Sequence, residues 1–271
     1  MDRIVYDRMA AHDSTHWWYR ARRDVLSDYI RRYAGLPPHA RILEIGCGTG
    51  HNLPMLATFG EVDAIEIDPA ARAIASERLG KPVGDAPLPE LPGVERGAYD
   101  MVAVLDVVEH IADDVAALRA VATLLRPGGK VLIAVPAHQW MWSAHDVVNH
   151  HHRRYSKRTL RRAIERAGLR AERMRWFNSL LFPLAAAARV AGRLTGRDDS
   201  DDSPPPGPVN KLFEAVFRLE RHLVGRVPMT PGLSIVTLAA PASPVGAAPA
   251  SPVGAAPASP VGAAPSGSSA R

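Results

Sequence analysis

The chain is predicted to be an α/β protein built on a doubly wound, mainly parallel sheet. Short apolar runs alternate with amphipathic segments from residue 41 to residue 176. The first apolar run ends in a glycine cluster, Gly46-Cys47-Gly48-Thr49-Gly50, which opens the next segment. Residues 101–105 are apolar on both faces, as a central parallel strand requires. Strands alternating with helices imply a parallel sheet covered on both sides.

The elements follow in order. His16-Trp17-Trp18-Tyr19-Arg20-Ala21-Arg22-Arg23 starts a helix that runs to Tyr33, with aromatics to pack on the sheet. Residues 41–45 and 62–67 are the first two strands. Asp68 and Pro69 give an N-cap and a first-turn proline, opening a helix to Leu79. A third strand is expected just before Gly84-Asp85-Ala86, and 101–105 is the fourth. A helix over 113–125 is stopped by Pro127-Gly128-Gly129, and 130–135 is the fifth strand. In the helix over 156–167, Leu160, Ala163, Ile164 and Ala167 share one face, and Gly168 sits where a C-cap belongs. Residues 169–176 and 233–239 are the last strands.

Between those last strands lie two apolar pieces flanked by arginines, 178–190 and 211–227. They read either as core helices or as pieces that dip into a membrane interface or close over a lipid-like acceptor. Residues 197–208, with Asp198, Asp199, Asp201 and Asp202 before a proline cluster, read as a linker. ASPVGAAP at 242–249 recurs at 250–257 and 258–265, and such a repeat has no apolar face to dock. The expected organisation is a helical cap at 1–40, a domain at 41–240 with an insertion at about 178–230, and a disordered tail at 241–271.

Composition narrows the function classes. No run of about 18 uncharged apolar residues appears, so no segment reads as a membrane span. The N-terminus lacks the apolar core of a secretory signal. Cys47 is the only cysteine, which forbids an intrachain disulfide and fits a reducing cytoplasm. The net charge is +5, yet residues 153–175 alone hold ten Arg or Lys against Glu165 and Glu172. That stretch attracts phosphates, acidic lipid head groups or nucleic acid, or else is a solvated helix face. No separate RNA-binding module accompanies it, which argues against nucleic acid.

The glycine loop carries the chemistry. Glu44-Ile45-Gly46-Cys47-Gly48-Thr49-Gly50 turns at the carboxyl end of the first strand, where ligands bind in doubly wound sheets. Glu66 ends the second strand, where a carboxylate accepts both ribose hydroxyls of an adenosine. Asp85 follows the third strand position, placed to meet an adenine amino group. Leu105-Asp106 ends the fourth strand, facing the same crevice.

With Tyr99-Asp100-Met101-Val102 and Leu125-Arg126-Pro127-Gly128-Gly129, this ordered set resembles the motifs of class I S-adenosylmethionine (SAM)-dependent methyltransferases. The resemblance covers residues 41–176. It implies a Rossmann-like seven-stranded sheet with an antiparallel last strand, here 233–239. It also implies that Glu44, Gly46, Cys47 and Gly48 surround the methionine part of SAM. Glu66 and Ile67 would meet the ribose side, Asp85 and Ala86 would flank the adenine, and Leu105 would line the crevice. The main rival, a dinucleotide-dependent oxidoreductase, has G-x-G-x-x-G with pyrophosphate on the helix N-terminus. Here the spacing is G-x-G-x-G behind Glu44, whose carboxylate repels pyrophosphate but suits an ammonium and a sulfonium.

The acceptor side is less defined. His110, in Asp106-Val107-Val108-Glu109-His110, is the candidate catalytic base. The same segment is similar to one in quinone O-methyltransferases and small-RNA 2′-O-methyltransferases that is associated with a divalent metal. Asp106, Glu109, His110 and one of His150–His152 could then be ligands. The reading preferred from sequence needs no metal: Glu109-His110 caps the next helix and shapes the pocket. After the fifth strand, His150, His151, Arg153 and Tyr155 are the candidate acceptor-binding residues, near Trp140 and Trp142. The expected activity is methyl transfer to oxygen of a small or lipid-linked acceptor, with peripheral membrane contact possible. A non-catalytic SAM-binding module and an RNA methyltransferase are the alternatives. Neither acceptor identity nor oligomeric state can be read from the residues.

Overall fold

The computed structural model describes residues 3–196 and 204–242. Of the expected tail, residues 243–271 lie outside the described residues, as do the four aspartates of the expected linker; Pro241, assigned to the tail, ends the last strand. Seven strands form one sheet: β1 (Ala40–Ile45), β2 (Gly60–Ile65), β3 (Tyr99–Leu105), β4 (Leu125–Pro136), β5 (Leu169–Ala171), β6 (Arg175–Phe177) and β7 (Ser234–Pro241). The order is β2-β1-β3-β4-β7-β5, with β6 also on β7. β7 runs antiparallel to β4, β5 and β6, while β2, β1, β3 and β4 are parallel.

Strand alternation sends successive side chains to opposite faces. Ile42, Met101, Ala103, Leu132, Ala134, Val236 and Leu238 join one core with Val25, Leu26, Tyr29 and Ile30 of α2 (Trp17–Tyr33). Leu43, Ile45, Val102, Val104, Val131, Ile133 and Val135 join the other. That second core is closed by Leu118 and Val121 of α5 (Asp114–Ala122) and by Leu160 and Ile164 of α7 (Lys157–Arg166). The sheet is therefore covered on both faces, as the alternating pattern predicts.

The Asp68 cap falls where the sequence puts it. Asp68 accepts from Ala70 and Ala71 N–H at the start of α4 (Pro69–Leu79), and Gly80 ends it in the left-handed conformation. Ser156 and Thr159 form a capping box for α7. Other expectations shift. The third strand is reduced to one bridge, Ile65 to Gly84, because Pro82 and Pro87 have no N–H for a ladder. The helix after the glycine loop is only α3 (Leu53–Leu56), since β2 begins at Gly60. Residues 126–129 bulge within β4 rather than ending a helix. The strand expected over 169–176 is split into β5 and β6. Gly207 and Pro208, assigned to the linker, begin α9 (Gly207–Leu219). A helix the sequence did not announce, α1 (Arg3–His12), precedes α2.

The insertion divides into two unlike halves. In α9, Phe217 is wholly buried, with its ring 5.9 Å from Trp17 and 6.2 Å from Phe177. Glu220, also buried, accepts from the N–H groups of Ser179 (2.6 Å) and Leu180 (2.7 Å). By contrast α8 (Phe182–Thr195) has no buried residue. Phe217→Ala should cost about 3–5 kcal/mol by opening a cavity between α2, α9 and the sheet. Leu212→Ala, at a side chain 59% exposed, should stay within about 0.5 kcal/mol. Urea unfolding of both variants tests this, and equal losses would remove α9 from the core.

Candidate functional site

The glycine loop leaves β1 and is tied by hydrogen bonds to the end of β2. Gly46 has φ +68, and a Cβ there would meet Val107 Cγ2 at 2.7 Å. The loop thus lies directly against the segment that follows β3, with no room for a side chain between them. Gly46 and Cys47 N–H both donate to the Ile65 carbonyl, and Gly48 N–H donates to Glu66 Oε2 at 2.7 Å. Burial pushes the Cys47 thiol pKa up, with Glu44 and Glu66 adding to it.

The acids line up along the carboxyl edge of the sheet. Glu44 is 1% exposed; its Oε1 accepts from Asn52 Nδ2 at 2.8 Å, and Oε2 has no hydrogen-bond partner. Burial raises its pKa to about 7, against the pull of Asn52 and Arg22. Glu66 is buried and accepts from Gly48 N–H, Asp68 N–H and the Tyr6 hydroxyl. Ile67 is 63% exposed at the rim. Glu66 N–H donates to the Gly84 carbonyl at 2.9 Å, which sets Asp85 and Ala86 beside Glu66 and Ile67. Asp85 is open to solvent, with Arg72 3.8 Å away, whereas Ala86 and Leu105 are buried.

Several residues of this site were not picked out from the sequence. Arg22 is 1% exposed and pairs with Asp106 at 2.5 Å, its guanidinium 5.0 Å from the centre of the Trp18 ring. A helical-face count would have found it: Ala21, Arg22, Val25, Leu26, Tyr29 and Ile30 form the buried stripe of α2. Helix α1 lies across the loop. Tyr6 reaches Glu66, Arg3 reaches Asp68, and Met9 Sδ stands 3.0 Å from where a Gly48 Cβ would be.

On the acceptor side, Val108–His110 forms a single 3₁₀ turn after β3. The cap of α5 is Asp113, which accepts from Ala116 N–H, so Glu109-His110 does not cap that helix. Glu109 is fully buried, and neither carboxylate oxygen has a hydrogen-bond partner. Burial, with Asp106 nearby, raises its pKa well above the usual carboxylate range. His110 stacks edge-on against His151 with ring centroids 4.5 Å apart. Burial and then His151 lower its pKa to about 3. Glu109, His110 and His151 each offer a ligand atom within 4.8 Å of the others.

The remaining candidates part company. His150 is exposed with φ +54. Arg153 pairs with Asp114 at 3.0 Å and donates to the Ala112 carbonyl, and the buried Tyr155 hydroxyl donates to the same Asp114 at 2.8 Å. Of the four residues expected to bind acceptor, His151 alone belongs to the cluster around His110. Short helical pieces, Gln139–Met141 and α6 (Ala144–Val148), occupy what the sequence reads as open loop.

Glu44 is more basic folded than unfolded, so its burial weakens the fold only where it ionises. The stability associated with its protonated form is complete below pH 4.5 and is lost as pH rises through 7. The loss in the ligand-free protein is about 3 kcal/mol by pH 8. Glu44→Gln should therefore gain stability over the parent at pH 8 and show little difference at pH 4.5. Urea titrations at the two pH values check this; a pH-independent difference would deny Glu44 the raised pKa.

Comparison with known proteins agrees with this geometry. A family model described as a methyltransferase domain matches residues 17–173. The ubiquinone biosynthesis O-methyltransferase of Xanthomonas campestris pv. campestris is 30% identical over 144 residues, 47% of this chain and 59% of that protein. That of Bordetella avium is 29% identical over 149 residues, covering 49% and 61%. The chain thus spans about six-tenths of the length of these curated relatives. A candidate sarcosine dimethylglycine methyltransferase of Galdieria sulphuraria shares the fold, with a TM-score of 0.52 at 17% identity over 80% of this chain and 83% of that one. So does a SAM-dependent methyltransferase of Aquifex aeolicus, with a TM-score of 0.51 at 16% identity over 65% and 93%. Motif order, sheet topology and the match over residues 17–173 lead to one conclusion: the chain belongs to the SAM-dependent methyltransferase family.

Proposed function

We propose that the chain transfers the methyl group of SAM to an oxygen atom of a small or lipid-linked acceptor, beside His110. The observation that carries this is the contact of Gly46 with Val107. It brings the cofactor loop against the turn that bears Glu109 and His110. On this reading Glu44, Gly46, Cys47 and Gly48 hold the methionine part, Glu66 and Ile67 the ribose side, and Asp85 and Ala86 the adenine. Leu105 lines the floor. The relatives' name puts their chemistry on oxygen, and the same atom type is taken for this acceptor.

In-line displacement asks little of the protein beyond alignment and removal of a proton. With a pKa of about 3, His110 is neutral at physiological pH. It is a poor store for a proton and a good lone-pair donor. A second reading follows from the buried, unpartnered Glu109. An ionised carboxylate at such a place needs a cation, and Glu109, His110 and His151 form a mixed carboxylate–imidazole donor set suited to a divalent metal. Bound there, the metal would supply Lewis acidity toward the acceptor hydroxyl.

Helix α8 supports a lipid-linked acceptor. Leu184, Val190 and Leu194 are 55%, 49% and 83% exposed. Arg193 donates to the carbonyls of Trp140 and Trp142 (3.1 Å for the latter), anchoring α8 beside the acceptor loop. No helix among the described residues is long and apolar enough to cross a membrane.

Labelled SAM offered to separated lipid, small-molecule and macromolecular extracts should place label in a lipid or small-molecule product that is stable as an ether. Label confined to RNA or protein would overturn the reading. Glu66→Ala should weaken SAM binding by roughly tenfold or more, from lost hydrogen bonds worth ~1.5–3 kcal/mol. NAD should bind far more weakly than SAM to the parent. Unchanged SAM affinity in calorimetry would take Glu66 out of the site.

A further inference from the structure

We infer that Asp146 is a positioning residue: it fixes His151 with the proton on Nδ1 and so leaves the Nε2 lone pair for the cluster with His110 and Glu109. Asp146 lies on α6 and is fully buried. Its Oδ2 is anchored by Ser143, whose N–H donates at 2.9 Å and whose hydroxyl lies at 3.4 Å. Its Oδ1 accepts from Arg154 Nε at 2.7 Å and faces His151 Nδ1 at 2.8 Å. The backbone closes the same loop, since His151 N–H donates to the Asp146 carbonyl at 2.9 Å.

The tautomer follows from donor and acceptor counting. An ionised carboxylate only accepts. Arg154 and Ser143 already donate to this one, so its oxygens carry lone pairs and not a proton. The hydrogen between Oδ1 and Nδ1 therefore belongs to the imidazole. A neutral imidazole protonated on Nδ1 has a bare Nε2. His151 has its side chain 7% exposed, and its ring lies edge-on to His110 at 4.5 Å and to the more distant His145 at 6.1 Å, so the cluster with His110 is the nearer place for that lone pair. His110 is held differently, by a hydrogen bond to the Asn149 backbone and by edge-on contact with His151. Asp146 therefore acts at one remove, by setting which nitrogen His151 presents. A carboxylate in this place also fixes the ring orientation and raises the basicity of the free nitrogen.

The tautomer stands by itself; its use toward a divalent cation rests on the metal reading given above. The full chain labelled with ¹⁵N-histidine separates the two. Long-range proton–nitrogen correlation, with His151 assigned by the loss of its peaks in His151→Gln, should show Nδ1 protonated and Nε2 bare. Asp146→Asn, whose amide can donate to Nδ1, should shift His151 toward the Nε2–H form. Titration with Mn²⁺ by calorimetry should show ten- to a hundredfold weaker binding in that variant than in the parent. An Nε2–H tautomer in the parent overturns the inference whether or not the variant folds. So does a folded Asp146→Asn protein with unchanged tautomer and unchanged Mn²⁺ affinity. Absence of Mn²⁺ binding in the parent would sink the metal reading alone, and the tautomer would still be decided by the spectrum.

Discussion

Burial of acidic side chains at the carboxyl edge of the sheet is the constraint to which the rest of the structure answers. Glu44, Glu66 and Glu109 are 1%, 3% and 0% exposed, and Asp106 follows β3 close enough to act on Glu109. Carboxylates removed from water are costly unless a cation or hydrogen-bond donors replace it. Backbone N–H groups satisfy Glu66, and Asn52 satisfies half of Glu44. Arg22 supplies the buried positive charge, bonded to Asp106 and felt by Glu44 and Glu109. That arrangement fixes the depth at which α2 must dock, and the Trp17–Phe217 contact with α9 holds it there. A helix that the sequence presents as a cap and an insertion that looks like an accessory are both parts of the charge-balancing machinery.

The same charge pattern selects ligands. A crevice with unpartnered carboxylate oxygens on Glu44 and Glu109 is hostile to pyrophosphate and receptive to cations. SAM carries two positive centres, an ammonium and a sulfonium. The distinction drawn from G-x-G-x-G spacing and Glu44 thus has a physical counterpart in the fold: the edge is short of positive charge before any ligand arrives.

Legibility in the sequence followed the range of the interaction. The start of helix α4 was readable because Asp68 and Pro69 act within one turn of the backbone they cap. Strand faces were readable because burial on two sides leaves continuous apolar runs. The third strand failed for a local reason that was also present, the prolines at 82 and 87. What could not be read was set by distance along the chain. Arg22 meets Asp106 across 84 residues, and Tyr6 meets Glu66 across 60. The histidine run showed its chemistry but not its geometry. Only the loop's path decides that His151 turns inward while His150 faces solvent and Arg153 turns to Asp114.

The two sides of the site then divide the charge change of the proposed reaction. Methyl transfer to a hydroxyl consumes a sulfonium and releases a proton, so positive charge leaves the cofactor and appears on the acceptor side. Strong stabilisation of the sulfonium itself would hold the reactant state more tightly than the transition state and slow the step. Glu44, with its pKa near 7, is only partly charged at neutral pH. It is bonded to Asn52 as well, which suits it to the ammonium end and keeps its field moderate. The departing proton appears beside His110 and the Glu109 carboxyl, which burial holds in their neutral forms, with the His151 ring edge-on to His110. Asp146, kept ionised against its burial by His151 and Arg154, is the nearby fixed negative charge. On the proposed reading the acid edge serves the cofactor and the Glu109–His110–His151 cluster serves the acceptor, and the Gly46–Val107 contact sets the two halves of the charge transfer side by side.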